Sequence, residues 1–141
     1  MEQPYVYILD PYPQQTPEQT RLYPFFEHLR DGRLTTSKCK RCGALPWPPR
    51  VVCPTCMSDD LEWSELPLEG KIYGYTVQEA GLPPGYDPPV VFALIDLANG
   101  VRLLSVIEDS DISEIESGAN VELIVKNVPY GRVMPAFRLK K

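Results

Sequence analysis

The chain has 141 residues, 43% of them hydrophobic and 23% charged, with a net charge of −5. That length and balance suit one globular domain, or one small domain with an appendage, and enough chain for one sizeable core. No apolar run approaches the about 20 residues that span a bilayer, and Met1-Glu2-Gln3-Pro4-Tyr5 lacks the basic and apolar regions of a signal peptide. A cytoplasmic setting with no membrane contact is therefore expected, and in a reducing cytosol paired cysteines read as metal ligands rather than disulfides.

Residues 1–15 carry Tyr5, Tyr7, Ile8 and Tyr12 among prolines. Pro fixes φ and lacks a donor, so the stretch reads as extended. Its aromatics point to an arm that packs against something, such as another subunit. Residues 16–32 read as helix: Thr16 supplies a cap, Pro17 a first-turn residue and Glu18 an early acid. Pro24 is expected to break that helix into two pieces. The second piece ends near Asp31-Gly32, where Gly takes a left-handed cap. His28 is the only histidine and reads as a helix-surface residue.

Residues 33–66 hold the strongest motif. Cys39-Lys40-Arg41-Cys42 and Cys53-Pro54-Thr55-Cys56 are separated by ten residues, and the chain has no other cysteine. One Cys-x-x-Cys turn aims two thiolates at one ion, and two such turns complete a tetrahedral four-sulfur shell. Zinc is the expected ion, one per chain; an iron site with the same ligands is the lesser alternative. A strand leads into the first pair and Leu61–Leu66 alternates as a second strand. These elements make a rubredoxin-like zinc ribbon.

Residues 67–141 read as all-β. Lys71–Glu79 alternates, with Tyr73, Tyr75 and Val77 on one side, and residues 81–89 form a Pro/Gly loop. Val90–Leu97 is a buried strand, Asn99-Gly100 a two-residue hairpin, and Val101–Ile107 the return strand. A short helical turn at Ile112 and Ile115 precedes strands at Val121–Val125 and Val133–Leu139. Five strands with a short helix between the third and fourth is the order of an OB-fold barrel. The expected division is an N-terminal arm and helices over 1–32, the zinc ribbon over 33–66 and the OB-fold over 67–141, in a mainly β chain.

The charge is patterned. Residues 30–50 hold six bases and one acid, residues 59–122 fourteen acids and two bases, and residues 123–141 five bases and no acid. A basic ribbon and tail thus flank an acidic middle. They read either as solvated surface or as a local phosphate or partner site.

From about residue 16 onward the chain resembles the zinc-ribbon and OB-fold proteins of the DUF35 family. The matching pieces are Phe25-Phe26-Glu27-His28-Leu29-Arg30-Asp31-Gly32-Arg33-Leu34, Cys39-x-x-Cys42-Gly43, Pro48-Pro49-Arg50, Cys53-Pro54-x-Cys56, Asn99-Gly100 and Pro135-x-Phe137-Arg138. Trp47 departs from the Phe expected beside Pro48 but keeps aromatic bulk. The resemblance implies a small accessory subunit of thiolases and related acyl-CoA enzymes, including hydratases and aldolases. In such a hetero-oligomer the partner carries the catalytic residues, and the small subunit stabilises it and shapes its CoA-binding entrance.

On that reading Lys40, Arg41 and Arg50, with Arg138, are candidates to meet CoA phosphates or an acidic patch on the partner. Their bland alternative is solubility, or support of the anionic thiolate site. Phe25, Phe26 and Trp47 either pack helix, ribbon and barrel together or form a partner-binding patch. No catalytic constellation is apparent. Acyl-CoA at or near the interface is expected, in β-ketoacyl-CoA thiolysis or Claisen condensation. Single-stranded nucleic acid is the competing class, with Tyr73 and Tyr75 as stacking residues. The acidic barrel sequence argues against it.

Overall fold

A computed structural model describes residues 11–83 and 86–141. Tyr5, Tyr7 and Ile8 of the expected arm lie outside these residues. The described residues contain one α-helix, α1 (Tyr23–Arg30), and seven strands. The strands are β1 (Leu34–Cys39), β2 (Leu61–Leu66), β3 (Glu69–Gln78), β4 (Val90–Leu97), β5 (Arg102–Ile107), β6 (Asn120–Val128) and β7 (Arg132–Leu139). A single 3-10 turn, Ile112–Glu114, sits between β5 and β6.

The two-piece helix expected over 16–32 is corrected. Residues 16–20 form only a turn, in which the Gln19 and Thr20 amides donate to the Thr16 carbonyl at 2.9 and 3.0 Å. Pro24 does not break a helix; it starts one. It lies in the first turn of α1, where its fixed φ and missing donor carry no penalty. The C-terminus follows the sequence reading. Gly32 has φ +78°, its amide donates to Leu29 O at 2.9 Å, and the Arg33 amide donates to His28 O at 2.9 Å. Those two bonds make a Schellman end. His28 is not a surface residue. It is half-buried, bonded through Nδ1 to Thr35 Oγ1 at 2.9 Å, with its ring edge-on to Trp63.

β1 and β2 pair antiparallel, Leu34 opposite Leu66 and Cys39 opposite Leu61. The remaining five strands close a barrel in the order β3-β4-β5-β7-β6. That is the OB-fold order, sealed where β5 meets β7 in parallel at Ile107 and Phe137. The core is continuous across all three parts: Phe25, Phe26 and Leu29 of α1, Leu34 and Leu66 of the ribbon, and barrel residues such as Ile95 and Phe137 form one buried cluster.

Three local features depart from simple alternation. Asn99-Gly100 does not make a two-residue turn. Asp96 pairs with Arg102 and the Leu97 amide donates to Val101 O, leaving Ala98, Asn99 and Gly100 as a three-residue loop. Only Gly100 of these has a positive φ, +92°, as the bulge position of such a loop requires. Next, a bulge between Ile72 and Gly74 shifts the register of β3. Tyr75 and Val77 therefore oppose Ala93 and Val91, which are buried, while Tyr73 stays outside with its ring 3.6 Å from the Arg102 guanidinium carbon. The three side chains do not share one side.

Last, Gly70 sits where β3 pairs with both Leu97 of β4 and Val121 of β6. A Cβ there would meet the Asp96 carbonyl oxygen at 2.5 Å.

The described part of the arm packs on its own barrel. Gln15 is buried; its side chain donates to Val133 O at 2.6 Å and accepts from Val133 N at 3.1 Å, continuing β7 outward as a strand would. The Arg132 guanidinium donates to Tyr12 O at 3.0 Å. No described helix is long and apolar enough to cross a membrane.

Gly70→Ala is expected to destabilise the chain by about 1–3 kcal/mol, because backbone must shift to admit the methyl group. Gly74→Ala, where nothing lies within 4 Å of the added Cβ, is expected to be neutral or to stabilise by about 0.4–1 kcal/mol. Urea unfolding of the two variants checks the contrast.

Candidate functional site

The four cysteine sulfurs all lie within 4.8 Å of one another. Cys39 and Cys56 are 3.5 Å apart at Sγ, and Cys42 and Cys53 3.6 Å. A tetrahedron of about 2.3 Å metal–sulfur bonds has edges near 3.8 Å, so this cluster fits a four-thiolate ion. Two matched turns build it. In the first, the Gly43 amide donates to Cys39 O at 2.9 Å and Cys39 N to Ala44 O at 3.0 Å. In the second, the Met57 amide donates to Cys53 O at 2.9 Å and Cys53 N to Ser58 O at 2.8 Å. Both turns end in a left-handed residue: Gly43 at φ +80°, and Met57 at +66° in spite of its side chain.

The turns also prepare the thiols chemically. The Cys42 amide points at Cys39 Sγ, and the Thr55 amide at Cys53 Sγ, each at 3.4 Å. Amide donors favour the thiolate. Cys53 is lowered to about 6, chiefly by the Cys56 amide and then, against the cost of burial, by the Thr55 amide and neighbouring thiols. Cys39 is lowered as well, first by the Cys42 amide. Cys42 is raised to about 12: its largest influence, the Ala44 amide, lowers it, but burial and the three adjacent thiols outweigh that donor. Four crowded thiols cannot all ionise alone, and a divalent ion removes that repulsion. The filled shell would leave no coordination position for a substrate.

Behind the metal cluster the Pro-rich segment 44–50 reaches α1 and the barrel. Prolines supply no amide donors, so hydroxyls of β1 hold the segment instead. Thr36 Oγ1 donates to Pro46 O, and Ser37 Oγ accepts from Arg50 N at 2.8 Å while donating to Arg50 O at 2.6 Å. The sequence reading did not single out Thr36 or Ser37; a polar run leading into a cysteine turn was the available signal.

Between this segment, α1 and the outer face of β4 and β5 lies an apolar cavity of about 460 Å³. Trp47, Phe25, Phe26, Phe92 and Tyr86 line it, with Lys126 as the one charged residue among the described ones. Phe25 packs edge-on against both Phe26 and Trp47, with ring centres 5.1 and 5.7 Å away. Phe25 and Phe26 are buried and Trp47 is half-buried, so all three join the core and line the cavity. Lys126 was also absent from the sequence-derived candidates. It bonds Glu108 at 2.6 Å, and its ammonium lies 5.8 and 5.6 Å from the Tyr12 and Tyr86 ring centres. Burial works against its charge, but the Glu108 carboxylate overcomes this and raises its pKa.

The basic candidates are not one cluster. Arg41 and Arg50 are exposed on the ribbon, and Lys40 lies 3.9 Å from Asp60. Arg138 belongs to β7, where its charge is met by Glu122 at 2.8 Å and Asp109 at 3.5 Å. Tyr73 and Tyr75, on opposite sides of β3, form no joint stacking platform for nucleic acid.

The family described as "ChsH2, rubredoxin-like zinc ribbon domain" matches residues 26–62, and "ChsH2, C-terminal OB-fold domain" matches residues 63–126. The benzoylsuccinyl-CoA thiolase subunit BbsA of Thauera aromatica is 32% identical over 120 residues, covering 82% of both chains. A probable enoyl-CoA hydratase alpha subunit of Thermomonospora curvata is 32% identical over 114 residues, but the chain spans only 36% of that protein's length. Among solved structures, the Ltp2-ChsH2(DUF35) aldolase has a TM-score of 0.73 and 30% identity, over 88% of this chain and 98% of the other.

Cys53→Ser is expected to lose the bound metal and unfold the ribbon, since such an ion supplies folding energy directly. Elemental analysis and circular dichroism check this. Acid should also strip the metal. The depressed folded-state pKa of Cys53, about 6, means its contribution is present above the ordinary thiol range and lost as pH falls through about 6. A bound ion competes with protons, so release to a chromophoric chelator is expected below about pH 6 and not at pH 7–8.

Proposed function

The chain belongs to the DUF35 family of zinc-ribbon and OB-fold proteins, and we propose that it is the zinc-binding, non-catalytic subunit of a thiolase-type acyl-CoA complex. The observation that carries this reading is the match to a thiolase subunit along 82% of both chains. The chemistry of this chain supports it. All four cysteines stand in the metal cluster, which leaves no thiol for an acyl intermediate. The single histidine is held by Thr35 and Trp63. The partner therefore supplies the nucleophile and base for thiolysis or Claisen condensation of a β-ketoacyl-CoA.

In this reading zinc is the resident ion. Four soft thiolates at tetrahedral spacing suit it, and its role is to hold the ribbon rigid. The ribbon then presents Trp47 and the exposed Arg50 beside the apolar cavity. The cavity wall contributes to the partner's acyl-CoA entrance, and Arg50, with Lys40 and Arg41, faces the CoA phosphates or acids of the partner. Arg138 has no part in that contact, because its charge is already met on the barrel. A hydratase or aldolase partner is the second reading, favoured by the likeness to the hydratase alpha subunit and to the aldolase assembly.

Co-expression with candidate catalytic subunits tests the proposal. A stable hetero-oligomer whose β-ketoacyl-CoA turnover needs this chain supports the thiolase reading. The same dependence with hydration or retro-aldol cleavage shifts it to the second. Absence of any complex, with no acyl-CoA activity depending on the chain, rejects both. Within a working complex, Arg50→Glu is expected to raise the KM for the CoA ester, or the Kd for the partner, by about tenfold. Unchanged values for both would remove Arg50 from the contact.

A further inference from the structure

Tyr130 stands at the tip of the β6–β7 hairpin. Val128 pairs with Arg132 there, and only Pro129, Tyr130 and Gly131 turn the chain. Tyr130 and Gly131 both take the left-handed region, at φ +65° and +72°. Gly enters that region freely. A bulky side chain there is crowded against its own backbone, so turns of this hand favour Asn, Asp or Gly. Among the described residues, the other two non-glycine residues with positive φ have local reasons for it. Asp109 is of a type that tolerates the conformation, and Met57 closes a metal turn through its bond to Cys53 O. Tyr130 has neither reason.

Packing does not offset that strain. Tyr130 is 83% exposed, and no described large apolar or aromatic side chain is more so. The Arg132 guanidinium carbon lies 5.7 Å from its ring centre, at the outer limit of a cation–π contact. The charges bonded to the turn are basic. The Arg30 guanidinium donates to Gly131 O and the Arg132 guanidinium to Pro129 O, each at 3.0 Å. Arg30 is exposed and forms no ion pair among the described residues, although Glu27 and Asp31 neighbour it in sequence. Residues 123–141 hold no acid.

We propose that Tyr130 and Arg30 anchor a docking site for the catalytic subunit. The Tyr130 ring enters an apolar pocket of that subunit, and Arg30 meets a carboxylate on the pocket's rim. A residue that strains its own turn and gains nothing from its own fold has its use outside the chain. Tyr and Arg are the residue types that dominate such contacts, and a ring held out by a tight turn loses little freedom on burial. A second copy does not fit. Two tips meeting about a two-fold axis would bring Arg30 against Arg30, and a tip docked on another face of the next copy would not close. The occupant is therefore a different chain, and its complementary charge is acidic. The site rests on the reading of this chain as a subunit of an acyl-CoA enzyme, and it lies on different elements from Arg50.

The test sets stability against affinity in the full, metal-loaded chain. Tyr130→Asn suits the turn better, so its Tm should equal or exceed that of the wild type. Its Kd for the catalytic subunit that co-purifies with the wild-type chain should rise about tenfold or more. Tyr130→Phe keeps the ring and should stay within about threefold. Arg30→Glu should raise the Kd about tenfold, and added salt should narrow that difference. A complex that Tyr130→Asn forms as tightly as the wild type overturns the docking site and leaves the subunit reading standing. A Tyr130→Asn chain that melts well below the wild type also overturns it, because Tyr130 would then serve its own fold. If the wild type binds no acyl-CoA enzyme subunit, the subunit reading falls and the docking site with it. Sedimentation of the chain alone should show a monomer; a wild-type dimer that Tyr130→Asn dissolves assigns the tip to a second copy and overturns the proposal.

Discussion

Four thiols held within 4.8 Å of one another set the conditions for the rest of the structure. A two-stranded β1–β2 pair is marginal in water by itself, and the segment joining its strands carries four prolines, at 46, 48, 49 and 54, that donate no ladder bonds. The amide-lined cysteine turns close that segment into a loop. Metal binding then converts a repulsive thiol cluster into a cross-link. Trp47 and Arg50 owe their positions to that loop and to the hydroxyls of Thr36 and Ser37.

The loop would remain an isolated knuckle if the ribbon did not share its base with the barrel. Leu34 and Leu66 lie at the open end of β1 and β2, and both are buried in the same cluster as Leu29 and Phe137. Helix, ribbon and barrel are thus bonded by one apolar core. The cavity forms where that core stops short, between α1, the Pro-rich segment and the outer face of β4 and β5. This is the strand pair on which OB-folds commonly bind ligands. Here the helix and ribbon partly cover it, which turns an open groove into a pocket of mixed aromatic walls.

Electrostatics follow the same division. On the barrel most cations have carboxylate partners: Arg102 with Asp96, Lys126 with Glu108, Arg138 with Glu122, Lys140 with Glu69. Exposed pairs of this kind add little stability, but they neutralise the barrel's bases locally. Arg41 and Arg50 on the ribbon make no ion pair among the described residues. Exposed positive charge without a carboxylate partner thus stands on the ribbon as well, with Arg50 next to the cavity-lining Pro49.

Much of this was legible from residue types alone. Cysteine spacing named the four residues whose sulfurs converge, Gly32 named the helix end, and alternation with Pro/Gly breaks named the barrel strands and their order. These features are local, since a turn or strand period is written in a few adjacent residues. Tertiary structure decided what local pattern could not. Pro24 reads equally as a helix breaker or a helix start until packing shows which side is buried. The bulge that parts Tyr73 from Tyr75 depends on β4 and was hinted at only by Gly74. Gln15, Lys126 and the hydroxyls of β1 gain their roles from partners 10 to 118 residues away, and Arg138 was drawn from the basic group by Glu122 across the sheet. The sequence by itself determined the metal cluster and the fold; only the folded chain decided the cavity and which charges remain unmatched, because those depend on distances between segments far apart in the chain.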